Sequence, residues 1–373
     1  MMEPGILFSP TGIKQLGLRN RLAVAPMTRV SATEDGHATE RMARYYRRFA
    51  EGGFGLVITE GMYTDQAYSQ GYLFQPGISS AEQAESWRPV VDAVHAAGGK
   101  IVAQLMHAGA LAQGNRFRGH TAGPSAVQPK GEQMKFYRGS GPYPVPREMR
   151  QEDIEEAAAG FAHSAQRAMD AGFDGVEIHG ANGYLLDQFL TRHTNLREDQ
   201  WGGNTENRIR LHTLVLGAVR EALGHRAPVG IRISQAKVND FSHKWAGEED
   251  DARIVFSALA AAGADYIHVT EFEAWKPAFG TDGPSLLELA RRYAPGVALI
   301  ANGSLHESCR GAEAIAAGAD LVAMGRSALA NPGLPALLSG GAALAAFDSG
   351  LLSPIADIKD IEIGGQGKET PSR

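Results

Sequence analysis

The stretch Gly175–Tyr184, reading G-V-E-I-H-G-A-N-G-Y, holds the densest chemistry in this 373-residue chain. The run Val176–Ile178 ends in His179, Asn182 and Tyr184, as a buried strand does where it opens into a loop. His179 and Asn182 carry hydrogen-bond donors three residues apart and can share one acceptor. Tyr184 adds a phenol two residues on. Those three groups suit a site that grips an oxygen and delivers a proton beside it.

Such groups need a scaffold, and the chain supplies a repeating one. Short runs with the aliphatic character of strands buried on both faces lie at Leu22–Ala25, Leu56–Thr59, Ile101–Leu105, Val176–Ile178, Val229–Ile233, Tyr266–Val269, Ala298–Ala301 and Leu321–Met324. Helical patterns follow them at Glu40–Glu51, Ala81–Ala97, Gln151–Ala171, Thr205–Leu223, Glu248–Ala262, Ser285–Ala294, Glu307–Ala317 and Ala328–Leu338. Gly172, Gly263 and Gly318 close three helices as left-handed caps. Each leads into A-G-x-D and the next strand, a weak internal repeat.

Eight strand–helix pairs predict a (β/α)8 TIM barrel, α/β in class, as a single domain over residues 1–345. An open doubly wound sheet is the runner-up, but it needs a Gly-rich first turn. Pro26-Met27-Thr28 stands there instead. Long interruptions at 109–150 and 180–204 follow the third and fourth strands, at the catalytic rim. The first is expected to form a capping subdomain. Residues 346–373 read as a C-terminal tail, expected to fray after Phe347.

In a barrel the strand ends converge on one face. They present Pro26, Met27 and Thr28, then Thr59-Glu60-Gly61, then Gln104, Met106 and His107. Asn302-Gly303-Ser304 and Gly325-Arg326 follow the last two strands. Backbone amides at those final turns can cradle a phosphate, as barrels often do there. Arg232, inside the strand G-I-R-I-S, needs an anionic or strongly polar partner. A structural ion pair with Glu60 is the plainer alternative. His107 can equally anchor the third loop. Tyr63, Tyr68, Phe136 and Tyr143 fall in or near rim loops, as wall or as packing.

Composition narrows the classes. The net charge of -6 gives no pull toward nucleic acid or anionic membrane. No secretory signal or membrane span is visible, so a cytoplasmic protein is expected, monomer or homodimer. One cysteine, Cys309, excludes an intrachain disulfide and a cysteine-held cluster. It reads as a small buried side chain. The strand ends carry no dense His/Asp set, so no metal site is expected.

Several motifs sharpen this. L-R-N-R-L-A-V-A-P-M-T-R (18–29) resembles the opening strand of the old yellow enzyme family. H-G-A-N-G-Y-L-L-D-Q-F-L (179–190) is similar to its signature, as is the stretch from Asn195 through Gly202-Gly203 to Glu206-Asn207-Arg208. A-D-L-V-A-M-G-R (319–326) resembles its closing phosphate strand. The match runs in order over nearly the whole chain.

The resemblance implies an FMN-bearing TIM barrel, the flavin held non-covalently. It would reduce activated C=C bonds of α,β-unsaturated carbonyl compounds with NADPH or NADH. Pro26, Met27 and Thr28 would line the isoalloxazine, with the Thr28 hydroxyl near its C4 carbonyl. Gly61 would allow close backbone approach, Gln104 would bond the pyrimidine edge, and Arg232 would face the N1/O2 side. Gly303, Ser304, Gly325 and Arg326 would hold the phosphate. His179 and Asn182 would bind the substrate carbonyl, and Tyr184 would be the proton donor.

The chain departs from relatives at Met106, where several carry Trp, so this substrate-pocket position can change selectivity. Thr28 stands where another branch has cysteine, and Asn182 where some have a second histidine. Trp275 follows the sixth strand and could reach the flavin rim, but no spacing argument decides its role. Alternatives on the same barrel are nitrate-ester reduction, redox-neutral C=C isomerisation, or flavin binding without turnover. The larger dienoyl-CoA reductase relatives need a cysteine-rich segment that this chain lacks.

Overall fold

The computed structural model describes residues 4–364. Eight parallel strands close into a ring: β1 (Leu22–Val24), β2 (Leu56–Ile58), β3 (Lys100–Met106), β4 (Gly175–His179), β5 (Val229–Ser234), β6 (Tyr266–Thr270), β7 (Ala298–Asn302) and β8 (Leu321–Met324). Each pairs with its neighbours in sequence. The ring closes where β8 meets β1, with Ala323 opposite Ala23. This is the (β/α)8 TIM barrel. Helices α1 (Glu40–Glu51), α2 (Ala81–Ala96), α3 (Gln151–Asp170), α4 (Arg210–Leu223), α5 (Glu248–Ala261), α6 (Leu286–Tyr293) and α7 (Ser308–Ala316) form the outer layer.

The sequence encodes these elements locally. The Thr39 and Ser80 side chains accept the amides of Met42 and Gln83, capping α1 and α2. Ser285 and Glu288 form a capping box on α6. The eighth helical segment departs from expectation. It runs as Arg326–Ala330 and then Leu334–Ser339, because Pro332 interrupts the helix. The expected helix 205–223 also divides, into Thr205–Arg208 and α4.

The barrel has a dry floor and a polar upper layer. A hairpin, Thr11–Ile13 against Leu16–Leu18, plugs the floor. Its Ile13, Leu16 and Leu18 pack on Leu56, Tyr266, Ile300 and Leu321 inside the ring. The Tyr266 ring fills the space beside Gly230, where a Cβ would lie 2.1 Å from it. That position of β5 therefore admits only glycine.

The A-G-x-D repeat has a structural meaning at this lower end. Asp174, Asp265 and Asp320 precede β4, β6 and β8, and each clips the strand before its own. Their carboxylates accept the amides of Ile101, Val229 and Leu299, each at 2.8 Å. Their own amides donate back to the same residues' carbonyls. Lys100 and His95 pair with Asp174, Arg220 with Asp265, and Arg291 with Asp320.

Two expectations are corrected. Cys309 is exposed on α7 rather than buried, since that helix turns its Gly311, Ala312, Ala314 and Ile315 inward instead. The tail does not fray up to residue 364. Residues 348–364 lie on the barrel, anchored by an ion pair between buried Arg29 and Glu362 at 2.5 Å. The end of the tail, 365–373, lies outside the described residues, as do residues 1–3 of the stretch read for a secretory signal.

Candidate active site

At the upper rim the strand ends surround a cavity of about 440 Å3. Pro26, Met27, Thr28, Gln104, Met106, His179, Asn182, Tyr184, Arg232, Gly303, Ser304, Gly325 and Arg326 all line it. The interruption 109–150 contributes Met134, Phe136 and Tyr137 to its wall.

The 179–184 loop is built to hold three side chains at this cavity. Asn182 adopts φ 62° and Gly183 φ 88°, a left-handed turn that starts the helix Leu185–Leu190 with Tyr184 at its cap. That conformation costs an asparagine less than most residues. It is held by contacts to the loop after β5. The Asn182 amide donates to Ser234 Oγ at 2.8 Å, and Val238 donates to the Asn182 carbonyl. Gly183 donates to Asp187, whose carboxylate pairs through both oxygens with buried Lys237 at 2.7 Å. Burial pushes the Asp187 carboxyl up, and Lys237 opposes it. The His179 and Tyr184 rings lie edge to face, 4.9 Å apart.

His179 is buried, and its Nδ1 has no partner among the described residues. Burial, reinforced by Arg232 and His268, holds its pKa well below the ordinary histidine value. It is therefore neutral at pH 7 and offers a single N–H. The Asn182 side-chain amide has no protein partner among the described residues. Burial raises the Tyr184 pKa, while its hydrogen bond with Tyr72, in which either hydroxyl can donate, and the charge of Arg232 pull it back. The two phenol oxygens are 2.5 Å apart. Tyr72 is more strongly raised, by burial and then by Tyr184.

Beneath these groups lies a polar layer inside the ring. Arg232 donates to Asn302 Oδ1 at 2.9 Å and to Thr270 Oγ1 at 3.2 Å, while its buried Nε has no partner among the described residues. Its pairing with Glu60 does not form. Glu60 instead accepts the amides of Arg29 and Val30 and the Tyr46 hydroxyl. Burial lowers the Arg232 pKa, and Glu177 opposes that shift. Gln104 Nε2 donates to Glu177 at 2.8 Å, and His268 Nδ1 sits 2.9 Å from the other Glu177 oxygen. Burial would raise Glu177, but His268, Arg232 and Gln104 outweigh it and leave it below the usual carboxylate value. The layer thus carries one anion below one guanidinium.

The β7 and β8 ends offer another set of donors. Gly303 and Ser304 have φ 142° and 54°. The Ser304 hydroxyl is used on the Phe272 carbonyl at 2.8 Å. The backbone amides of Gly303, Ser304, Gly325 and Arg326 have no acceptor among the described residues. Arg326 is exposed beside them, over the Phe272 ring. A second space of about 300 Å3 shares Ser304, Gly325 and Arg326 and adds His306 and Ser327. Open amides beside a free guanidinium suit a dianionic phosphate.

Other expected residues fall elsewhere. Gly61 does not line the cavity. A Cβ there would lie 2.5 Å from Met106 Sδ, so the glycine makes room for the Met106 side chain. His107 anchors the third loop, its Nδ1 accepting the Gly109 amide. Trp275 sits under Arg310, away from the cavity wall. Of the named rim aromatics, only Phe136 lines the cavity. Tyr143 packs behind Tyr184, Tyr63 bonds Gln83, and Tyr68 contacts His120.

A family model described as NADH:flavin oxidoreductase / NADH oxidase family matches residues 6–344. A probable flavin mononucleotide-dependent alkene reductase of Leishmania infantum is 37% identical over 349 residues, covering 91% of this chain and 92% of that protein. The 12-oxophytodienoate reductase 7 of Oryza sativa subsp. japonica is 34% identical, covering 88% and 86%. Among solved structures, the old yellow enzyme homologue from Zymomonas mobilis superposes with TM-score 0.84 at 33% identity, over 94% of this chain and 96% of that one. Morphinone reductase superposes with TM-score 0.83, also at 33% identity, over 95% and 96%. The chain belongs to the old yellow enzyme family.

As an old yellow enzyme family member it is an NAD(P)H-dependent flavin oxidoreductase with FMN as cofactor. The donor set fits that group: open amides for a phosphate at one end, Arg232 and Gln104 for a heterocycle's carbonyl edge at the other. Sequence reasoning missed Glu177, His268, Thr270 and Tyr72. The first two had a signal, being polar residues at alternating positions of otherwise apolar strands, as Arg232 is. Tyr72 had none, since a tyrosine in a loop carries no periodicity.

Proposed function

We propose that this protein reduces the activated C=C bond of α,β-unsaturated carbonyl compounds, in a ping-pong cycle with NAD(P)H. The observation that carries the reading is one cavity wall holding two free donors, on His179 and Asn182, beside the Tyr184 phenol. The names of the alkene and oxophytodienoate reductases among its relatives support the same class. Bound FMN supplies two-electron transfer from nicotinamide to substrate.

The chain's own residues do the rest. Neutral His179 and the Asn182 amide bind the carbonyl oxygen, polarise the alkene and stabilise negative charge as it grows there. Donors of this kind are worth about 3 kcal/mol each in a water-poor site. Arg232, its charge moderated by Glu177, would help hold the flavin and would supply a fixed positive potential to its carbonyl edge. His179 has no spare proton, so the α-carbon proton comes from Tyr184. Tyr72, donating to the Tyr184 oxygen, leaves the Tyr184 hydrogen free to face the substrate. It also stabilises the phenolate left behind, which water reprotonates.

Separating the half-reactions tests this. Tyr184→Phe is expected to slow enone reduction by about a hundredfold or more while leaving flavin reduction by NAD(P)H within about twofold. An equal fall in both would make Tyr184 structural. Purified protein is expected to release FMN on denaturation.

A further inference from the structure

Arg29 closes the A-P-M-T-R motif, yet it plays no part in the chemistry above. Its side chain is fully buried, and its donors are spent on the C-terminal segment. Nε donates to the Ala356 carbonyl at 3.1 Å and Nη2 to that of Asp357 at 2.7 Å. The guanidinium then grips both oxygens of Glu362, at 2.6 and 2.5 Å. Arg48 holds the Glu362 carbonyl at 2.5 Å. A buried guanidinium left without this carboxylate would be heavily penalised, so the segment is fixed rather than loosely laid on.

Its path leads to the cavity. Ile358 donates to Ser31 Oγ at 2.8 Å, and Ala356 donates to the Phe136 carbonyl at 2.9 Å. That second bond ties the segment to the rim loop whose Phe136 and Tyr137 line the site. Ile355 packs against the cluster of Tyr72, Met106 and Tyr184. Leu352, half-buried, reaches the cavity wall together with Met27 and Phe136.

We propose that residues 348–364 form a fixed wall of the substrate cavity, fastened by the Arg29–Glu362 pair, and that Leu352 on this wall sets the size of apolar substituent accepted. The preferred ligands are then carbonyl compounds whose apolar substituent lies away from the gripped oxygen, against Leu352 and Phe136. This rests on the proposed function for which end of the ligand His179 and Asn182 hold.

The test uses the FMN-loaded full chain and two oxygen ligands of different size, phenol and 4-tert-butylphenol. The ratio of their dissociation constants is expected to shift against the larger ligand by about tenfold in Leu352→Trp, and in its favour in Leu352→Ala, the scale expected when a few methyl groups are added to or removed from an apolar pocket. In Glu362→Ala, amide hydrogen exchange over 348–364 is expected to become fast, and the ratio to approach that of Leu352→Ala. If Glu362→Ala fails to fold, the Leu352 variants, altered at a half-exposed position, still decide. A ratio within twofold of the parent in both Leu352 variants, or fast exchange over 348–364 in the parent, overturns the wall alone. A parent that binds neither phenol sinks the oxygen grip of the proposed function and the wall with it.

Discussion

The two ends of this barrel treat polar atoms in opposite ways. At the lower end Asp174, Asp265 and Asp320 each exchange two backbone hydrogen bonds with a neighbouring strand and add a basic partner. At the upper end His179 Nδ1, Arg232 Nε and the backbone amides of the Gly303–Ser304 and Gly325–Arg326 turns have no partner among the described residues. Buried polar groups are normally satisfied. Single unpartnered atoms also occur in the scaffold among the described residues, such as Tyr266 Oη and His212 Nδ1; it is the convergence of several such donors on one cavity that marks a site. The same fold places its stability at the bottom and its chemistry at the top.

The contrast can be broken most forcefully from above. Asn182→Ala and His179→Ala are each expected to cut enone reduction by about 10²- to 10³-fold, with the melting temperature nearly unchanged in His179→Ala and lowered by only a few degrees in Asn182→Ala, where alanine must adopt a positive φ. Steady-state kinetics beside a thermal melt reads both. A large loss of stability with modest loss of rate would make these residues scaffold.

Acid sharpens the comparison next. His212, fully buried, supports the 179–184 loop from below, its Nε2 3.2 Å from the Gly180 carbonyl. Burial lowers its pKa to about 4, against the pull of the Gly180 bond. Its folded value lies below its unfolded value of 6.5. Its contribution is thus fully present above pH 6.5 and lost as pH falls toward 4, in total about 3 kcal/mol. Denaturant melts across that window are expected to show the loss, and His212→Phe to reduce it, the remainder coming from other histidines such as half-buried His243, whose pKa burial also lowers to about 4. A parent with constant stability over the window would contradict the assignment.

From below, Asp320→Ala is expected to destabilise by about 2 kcal/mol, since it strands the Leu299 amide and removes the ion pair with Arg291. Turnover per folded molecule should hold. A rate loss exceeding the loss of folded protein would tie the clip to the site.

The smallest effect belongs to Tyr72→Phe. One hydrogen bond to a developing phenolate is worth about 1–2 kcal/mol, so enone reduction should fall several-fold. The apparent pKa of the proton-donating step should rise. An unchanged pH profile would leave Tyr72 as packing.

Much of this was legible in the sequence because it is periodic or local. All eight strands stand where the apolar runs place them. The site residues at their ends came from barrel topology and from resemblance. The polar layer was only partly visible: Arg232 stood out, while Glu177 and His268 obeyed the same alternation and were passed over. Tyr72 meets Tyr184 across 112 residues of chain, and the docking of residues 348–364 joins Arg29 to Glu362 across 333. Glu362 reads as an ordinary surface carboxylate until it is seen paired with the buried Arg29 guanidinium. The Met106 contact of Gly61 was hidden for a related reason, since a glycine at a strand end looks the same whether it admits a cofactor or a neighbouring side chain.

The central claim is that the free donors of His179 and Asn182 meet at one ligand oxygen above bound FMN. Titrating the purified yellow protein with phenol tests it most directly. The account predicts a long-wavelength charge-transfer band that saturates in the parent and weakens at least tenfold in affinity in Asn182→Ala. A parent without the band, or a variant that binds phenol as tightly as the parent, would contradict it.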